Sequence, residues 1–240
     1  MSDYRTRTQV GATTRAEIDQ GLRSYMLGVY NHMALGVAFT ALVVLAVASS
    51  PAAIATVYAM KWLWFFGAIG LGFMAPKMMF SENKVMAHAA FWAYAGLWGL
   101  MMAPMLAHYL AVDPSIVYRA FLIAAATFAG TSLAGYVTKR DLSGFGAFFF
   151  IASIGILIAI LVNAFFIGSS MMSLIVSIVT VLLFAGITAY ETQMIKEMYY
   201  EGDAPGVARG KSIFGAFALY GSFVTLFVHI LNILGISSSE

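Results

Sequence analysis

Residues 171–198 read MMSLIVSIVTVLLFAGITAYETQMIKEM, and the stretch from Leu174 to Tyr190 carries no charged side chain. A helix needs about 20 mostly apolar residues to cross a hydrocarbon core of about 30 Å. With Met171 to Ser173 added, this segment meets that length before it reaches Glu191, Thr192, Gln193, Lys196 and Glu197. Six further stretches of the same kind lie along the chain. The pattern predicts spans at 25–48, 54–79, 85–109, 115–138, 143–167, 171–198 and 212–236. Ser49, Ser50 and Pro51 end the first of these, and Asp113 and Pro114 open the fourth. Gly168, Ser169 and Ser170 separate the fifth from the sixth, and a connection from Gly202 to Gly210 joins the last two. Pro76, Lys77, Ser81, Glu82, Asn83 and Lys84 mark the turn between the second and third. The expected fold is an all-α integral membrane protein of seven transmembrane helices. Its parts are an N-terminal tail (1–24), the membrane domain (25–236) and a short C-terminal tail (237–240).

Composition agrees with a lipid solvent. The 240 residues are 61% hydrophobic and 10% charged, against about a quarter charged in an ordinary soluble domain. Thirteen basic and eleven acidic side chains cannot coat a soluble core of this size. The net charge of +2 and the lack of any basic run beyond Lys139 and Arg140 set nucleic acid aside as a partner. With no cysteine there is no disulfide, thiolate metal site or cysteine nucleophile. The polar start, with Asp3, Arg5, Arg7, Arg15, Glu17 and Asp19, lacks the pattern of a cleavable signal, so the first span is expected to serve as the membrane address.

Basic residues set the orientation. Sorted across seven spans, Arg5, Arg7, Arg15, Arg23, Lys77, Lys84, Lys139, Arg140, Lys196, Arg209 and Lys211 fall on one side, and only Lys61 and Arg119 on the other. The positive-inside rule then places the N-terminus in the cytoplasm and Glu240 outside.

An ionisable residue inside a span is costly and so is a functional candidate. Glu191 is the best of the few. If its helix begins at Met171, Glu191 lies about 30 Å along it and the carboxylate reaches the cytoplasmic interface. If the helix continues to Tyr199 or Tyr200, Glu191 sits about two turns inside, facing a cavity or a partner. In the seventh span Ser222, Thr225, His229 and Asn232 recur at i, i+3, i+7 and i+10, on one helical face. Such a stripe faces the bundle interior, either pairing helices through hydrogen bonds or bordering an aqueous path. Asp141, beside Lys139 and Arg140, reads as a helix cap and interface pair for the fifth span. No two of the four histidines have metal-ligand spacing, and no nucleophile elbow or phosphate loop is present. Neither an enzyme, a metal site nor a cofactor is expected. Gly67, Gly70 and Gly72, and Gly130, Ala134 and Gly135, suit close helix packing.

Four segments carry a resemblance that covers nearly the whole chain in order: LRSYMLGVYNHMALGVAFT (22–40), SLAGYVTKRDLSG (132–144), GITAYETQMI (186–195) and LYGSFVTL (219–226). Together they resemble the Bax inhibitor-1 family, and most closely its bacterial inner-membrane branch. The resemblance implies six helices packed around a central seventh and a pH-modulated leak for calcium or another cation across the inner membrane. The family's pH sensor is a pair of acids on the last two spans. Here the first falls on Glu191 and the second on Ser222, where the family commonly reads LYLDF and this chain reads LYGSF. A basic latch used by some relatives aligns near Ser81 and Glu82 and is absent. The other reading is a non-transporting regulator that binds another integral membrane protein, such as a membrane protease or stress factor.

Overall fold

Ser50, Asn83, Asp113 and Ser169 each place a side-chain oxygen over the first backbone N–H groups of a helix, and these caps divide the chain. The computed structural model describes residues 3–81 and 83–238. Glu82, Ser2 and Glu240 lie outside the described residues. The helices are α1 (Asp3–Ala48), α2 (Pro51–Ala59), α3 (Lys61–Met79), α4 (Lys84–Val112), α5 (Pro114–Val137), α6 (Gly146–Val162), α7 (Ser170–Glu197) and α8 (Pro205–Ser237). A 3₁₀ turn, Ser143–Phe145, precedes α6, and a π turn, Asn163–Ile167, follows it. Among the described residues every regular element is helical.

Six helices are long and apolar enough to cross a membrane, or seven spans result if α2 and α3 count as one. The expected continuous span at 54–79 is instead broken at Met60, where α2 and α3 meet at 64°. A straight helix would have carried the Lys61 ammonium about 10 Å into hydrocarbon, an expensive depth for a charge. At the bend Lys61 Nζ sits 4.6 Å from the Tyr58 ring centroid, and the Trp64 indole N–H donates to the Val57 carbonyl (3.2 Å).

The last helix begins at Pro205, seven residues before the expected start at 212. Gly210 reads as a loop glycine in sequence but is buried within the helix. A Cβ there would stand 2.9 Å from the Met79 carbonyl oxygen, so glycine admits the end of α3 against α8. Gly135 serves the same purpose where α5 meets α7, since its Cβ would overlap the backbone of Ala189. Gly130 and Gly70, by contrast, face open space.

Helix α8 is the most buried span, with 61% of its apolar window inside the protein, against 22–28% or less for the others. It packs against α1, α3, α4, α5 and α7, while α6 packs chiefly on α7 and contributes no buried residue. The Tyr220 hydroxyl lies 2.6 Å from Thr40 Oγ1, which also donates to the Ala95 carbonyl at 3.0 Å, joining α8, α1 and α4 at the centre. A second hydroxyl chain joins α1, α5 and α7: Tyr30 to Ser132 at 2.6 Å and Ser132 to Thr192 at 2.9 Å. At the other end of α5, bonds from the Ser115 hydroxyl and backbone N–H hold the Asp113 carboxyl below the usual carboxylate range.

Candidate functional site

Helix α7 runs on to Glu197, so Glu191 lies six residues inside its end, about 9 Å along the axis. The helix begins at Ser170, about 30 Å back along the axis from Glu191, and ends short of Tyr199, so it meets part of each sequence alternative. The carboxylate is half-buried and turns towards α8, where the buried Ser222 hydroxyl donates to Oε2 at 2.6 Å. This length suits a hydroxyl bound to an ionised carboxylate.

The remaining members of the stripe face the same way. Asn232 Nδ2 donates to Ser177 Oγ at 2.9 Å, and His229 Nδ1 lies 3.0 Å from the same hydroxyl. Thr225, Thr180 and His229 border a cavity of about 370 Å³ between α3 and α6. A second cavity, about 560 Å³, shares Phe65, Trp98, Met101, Ile160 and His229 with the first. It extends to Asn163, Ser169, Ser173, Ser177 and Asn232. Asn163 organises that end: its amide donates to the Ser169 carbonyl (3.1 Å) and Ser173 Oγ (2.8 Å), and its Oδ1 accepts from Ser169 N. The four residues predicted on α8 therefore address α7 or these cavities, and Glu191 meets Ser222 directly.

Asp141 occupies a different place. Its Oδ1 accepts from the Ser143 N–H (2.8 Å), which holds its carboxyl below the usual carboxylate range. It closes a turn onto Ser143, while the N-cap positions of the 3₁₀ turn and of α6 are Leu142 and Phe145, and the ion pair found among the described residues joins Lys211 to Asp203 (2.6 Å) rather than Asp141 to Lys139 or Arg140. Both basic side chains are exposed. Arg140 instead offers its carbonyl to Gln193 Nε2 (2.9 Å), and Gln193 Oε1 accepts from Leu142 N (2.7 Å), which ties α7 to the loop before α6.

Sequence reasoning missed Ser177, Gln193 and Asn163 as partners. A signal for Ser177 was present: Ser173, Ser177, Thr180, Thr188 and Glu191 follow helical spacing along α7, matching the stripe on α8. It also missed the pairing of His32 with His88, whose rings stack with centroids 6.0 Å apart across α1 and α4. Among the described residues no group of three His, Asp or Glu side chains could hold a metal ion.

Residues 22–239 match the family model described as "Inhibitor of apoptosis-promoting Bax1". The chain is 35% identical over 221 residues to the inner membrane protein YbhL of Escherichia coli K12, covering 90% of this chain and 92% of that one. It is 37% identical over 225 residues to an uncharacterized protein of Deinococcus radiodurans, with 94% and 95% covered. An uncharacterized protein of Rickettsia prowazekii is 35% identical over 241 residues, with 98% of each chain covered. This lipid-embedded, multi-pass chain belongs to the Bax inhibitor-1 family.

Proposed function

We propose that the protein is a pH-modulated leak for calcium or another cation, with Glu191 as its sensor and the face bearing Ser222, Thr225, His229 and Asn232 as the border of the path. The observation that carries this reading is the Glu191–Ser222 contact at 2.6 Å between α7 and α8. Neutralising Glu191 replaces a charge-assisted bond with a weaker neutral one, and so shifts the balance between two arrangements of these helices. The cavities between α3 and α6 add polar groups along the same helices.

In this reading α2 and α3 form one broken span, giving seven spans with the last at the centre. The cytoplasmic tail (1–24) precedes the membrane domain (25–236), the inner membrane is its location, and the C-terminal tail (237–240) lies outside. The protein catalyses no reaction and uses no cofactor. A regulator that binds another integral membrane protein is the second reading, favoured by the hydroxyl at Ser222 where the family commonly has an acid. Calcium flux into liposomes holding the purified protein separates the two. The leak predicts pH-dependent flux in the wild type, flux without pH dependence in Glu191→Gln, and a stronger pH dependence in Ser222→Asp. Absence of wild-type flux at every pH leaves the regulator, and a profile unchanged by Glu191→Gln removes Glu191 as sensor.

A further inference from the structure

Away from any residue that lines the α3–α6 cavities, α1 and α5 border one another without packing closely. A slot of about 580 Å³ separates them, within the range of ligand-sized pockets. Its α1 wall is Arg23, Met26, Leu27 and Tyr30, spaced i, i+3, i+4 and i+7. Its α5 wall runs antiparallel, from Phe128 and Ser132 beside Tyr30 to Tyr136 at the Arg23 end. The slot is therefore about 10 Å long and has two chemically distinct ends.

The inner end is apolar and closed to further polar chemistry. Met26 and Phe128 are buried there, and the Tyr30, Ser132 and Thr192 hydroxyls satisfy one another. The outer end is cationic. Arg23 lies near the start of the span Gln20–Ala48, and Tyr136 near the end of the span Pro114–Val137, so both stand at one membrane surface. Arg23 is exposed, and no acidic group among the described residues pairs with it. Lys196 Nζ donates to the Tyr136 carbonyl (2.8 Å) and stands 5.5 Å from the centroid of its ring, which adds a second cation to that rim.

We propose that the slot between α1 and α5 is a binding site for an anionic phospholipid, with its phosphate on Arg23 and an acyl chain lying between the two helices. The side walls open to the bilayer, so hydrocarbon is the medium that reaches them, and the charge at the mouth selects the headgroup. Nothing in this inference depends on ion conduction or on which leaflet the mouth faces.

The test uses the full-length protein in detergent, mixed with equal amounts of phosphatidylglycerol and phosphatidylcholine of matched chains, with bound lipid read by native mass spectrometry. The expected result is a preference of about fivefold for phosphatidylglycerol, the worth of one arginine near an anionic surface. That preference falls in Arg23→Gln, with Lys196 left as the remaining cation at the rim, and persists in Arg23→Lys. Ala129→Trp, which fills the slot from an exposed position on α5, lowers retention of both lipids. Arg23 is exposed, so its replacement leaves the core untouched; a circular-dichroism melt matching wild type verifies this. Equal retention of the two lipids by the wild type overturns the proposal, as does an undiminished preference in Arg23→Gln. Displacement of the lipid by glycerol phosphate alone would make this a site for free phosphate, and a co-purified polypeptide that lipid does not displace would make it a protein interface.

Discussion

Removing the Ser222 hydroxyl tests whether Glu191 is held by charge. Ser222 is 2% exposed and its hydroxyl donates to Glu191 Oε2 at 2.6 Å, so Ser222→Ala deletes that contact with little change of volume. A neutral hydrogen bond contributes about 1 kcal/mol, and one to an ionised group roughly twice that. In membrane bundles the measured couplings are smaller, averaging about 0.6 and reaching about 1.7 kcal/mol, because the unfolded helices find other partners in the bilayer. Ser222→Ala should therefore cost about 1.5 kcal/mol in the wild-type background. In Glu191→Gln, whose amide oxygen still accepts but carries no charge, it should cost about half as much. The cycle then gives a coupling of about 0.7 kcal/mol. Reversible unfolding of the four proteins in mixed micelles, followed by circular dichroism at neutral pH, measures it. A coupling below about 0.3 kcal/mol, the scatter of independent sites, would mean that charge on Glu191 does not hold α8.

Close packing and orientation give two further tests. Gly135→Ala forces a methyl group against the Ala189 backbone and should destabilise the bundle by about 1–3 kcal/mol, whereas Gly130→Ala, facing open space, should be neutral; equal thermal melts of both variants would contradict the α5–α7 approach. With no native cysteine, Ser238→Cys should react with an impermeant thiol reagent from outside intact cells and Ser2→Cys should not; labelling of both from the same side would remove the seven-span reading.

Most of the helical boundaries were legible because they rest on local chemistry. Ser50, Asn83, Asp113 and Ser169 cap their helices through their own neighbours, and the expected span 143–167 coincides with the observed stretch Ser143–Ile167. Where sequence reasoning fell short, the cause was tertiary. Hydropathy averages over Met60 and cannot register a bend that relieves Lys61, and Gly210 looks like a helix breaker until Met79 is seen against it. The stripe on α8 was readable from spacing within one helix. Its partners Ser177 and Glu191 sit 52 and 31 positions away from His229 and Ser222, and no local pattern fixes such a register. The same limit hid the His32–His88 contact, because spacing arguments compare residues on one helix while these two rings meet from different ones.

Position 222 is where the two functional readings divide. A second carboxylate there would stand at hydrogen-bonding distance from Glu191, and two carboxylates so placed share a proton and attract a divalent cation. The hydroxyl supplies a donor instead, so the contact between α7 and α8 needs no proton shared between two carboxylates. Loss of the charge on Glu191 weakens the bond to Ser222 and at the same time relieves the burial of a carboxylate, so the two effects oppose each other in setting how far pH shifts the helices. A leak in this chain is accordingly expected to respond to pH with a single, shallow transition, and Ser222→Asp to steepen it. A regulator would instead keep the Glu191–Ser222 bond as a fixed tie, with its stability cost unchanged by whatever partner it binds.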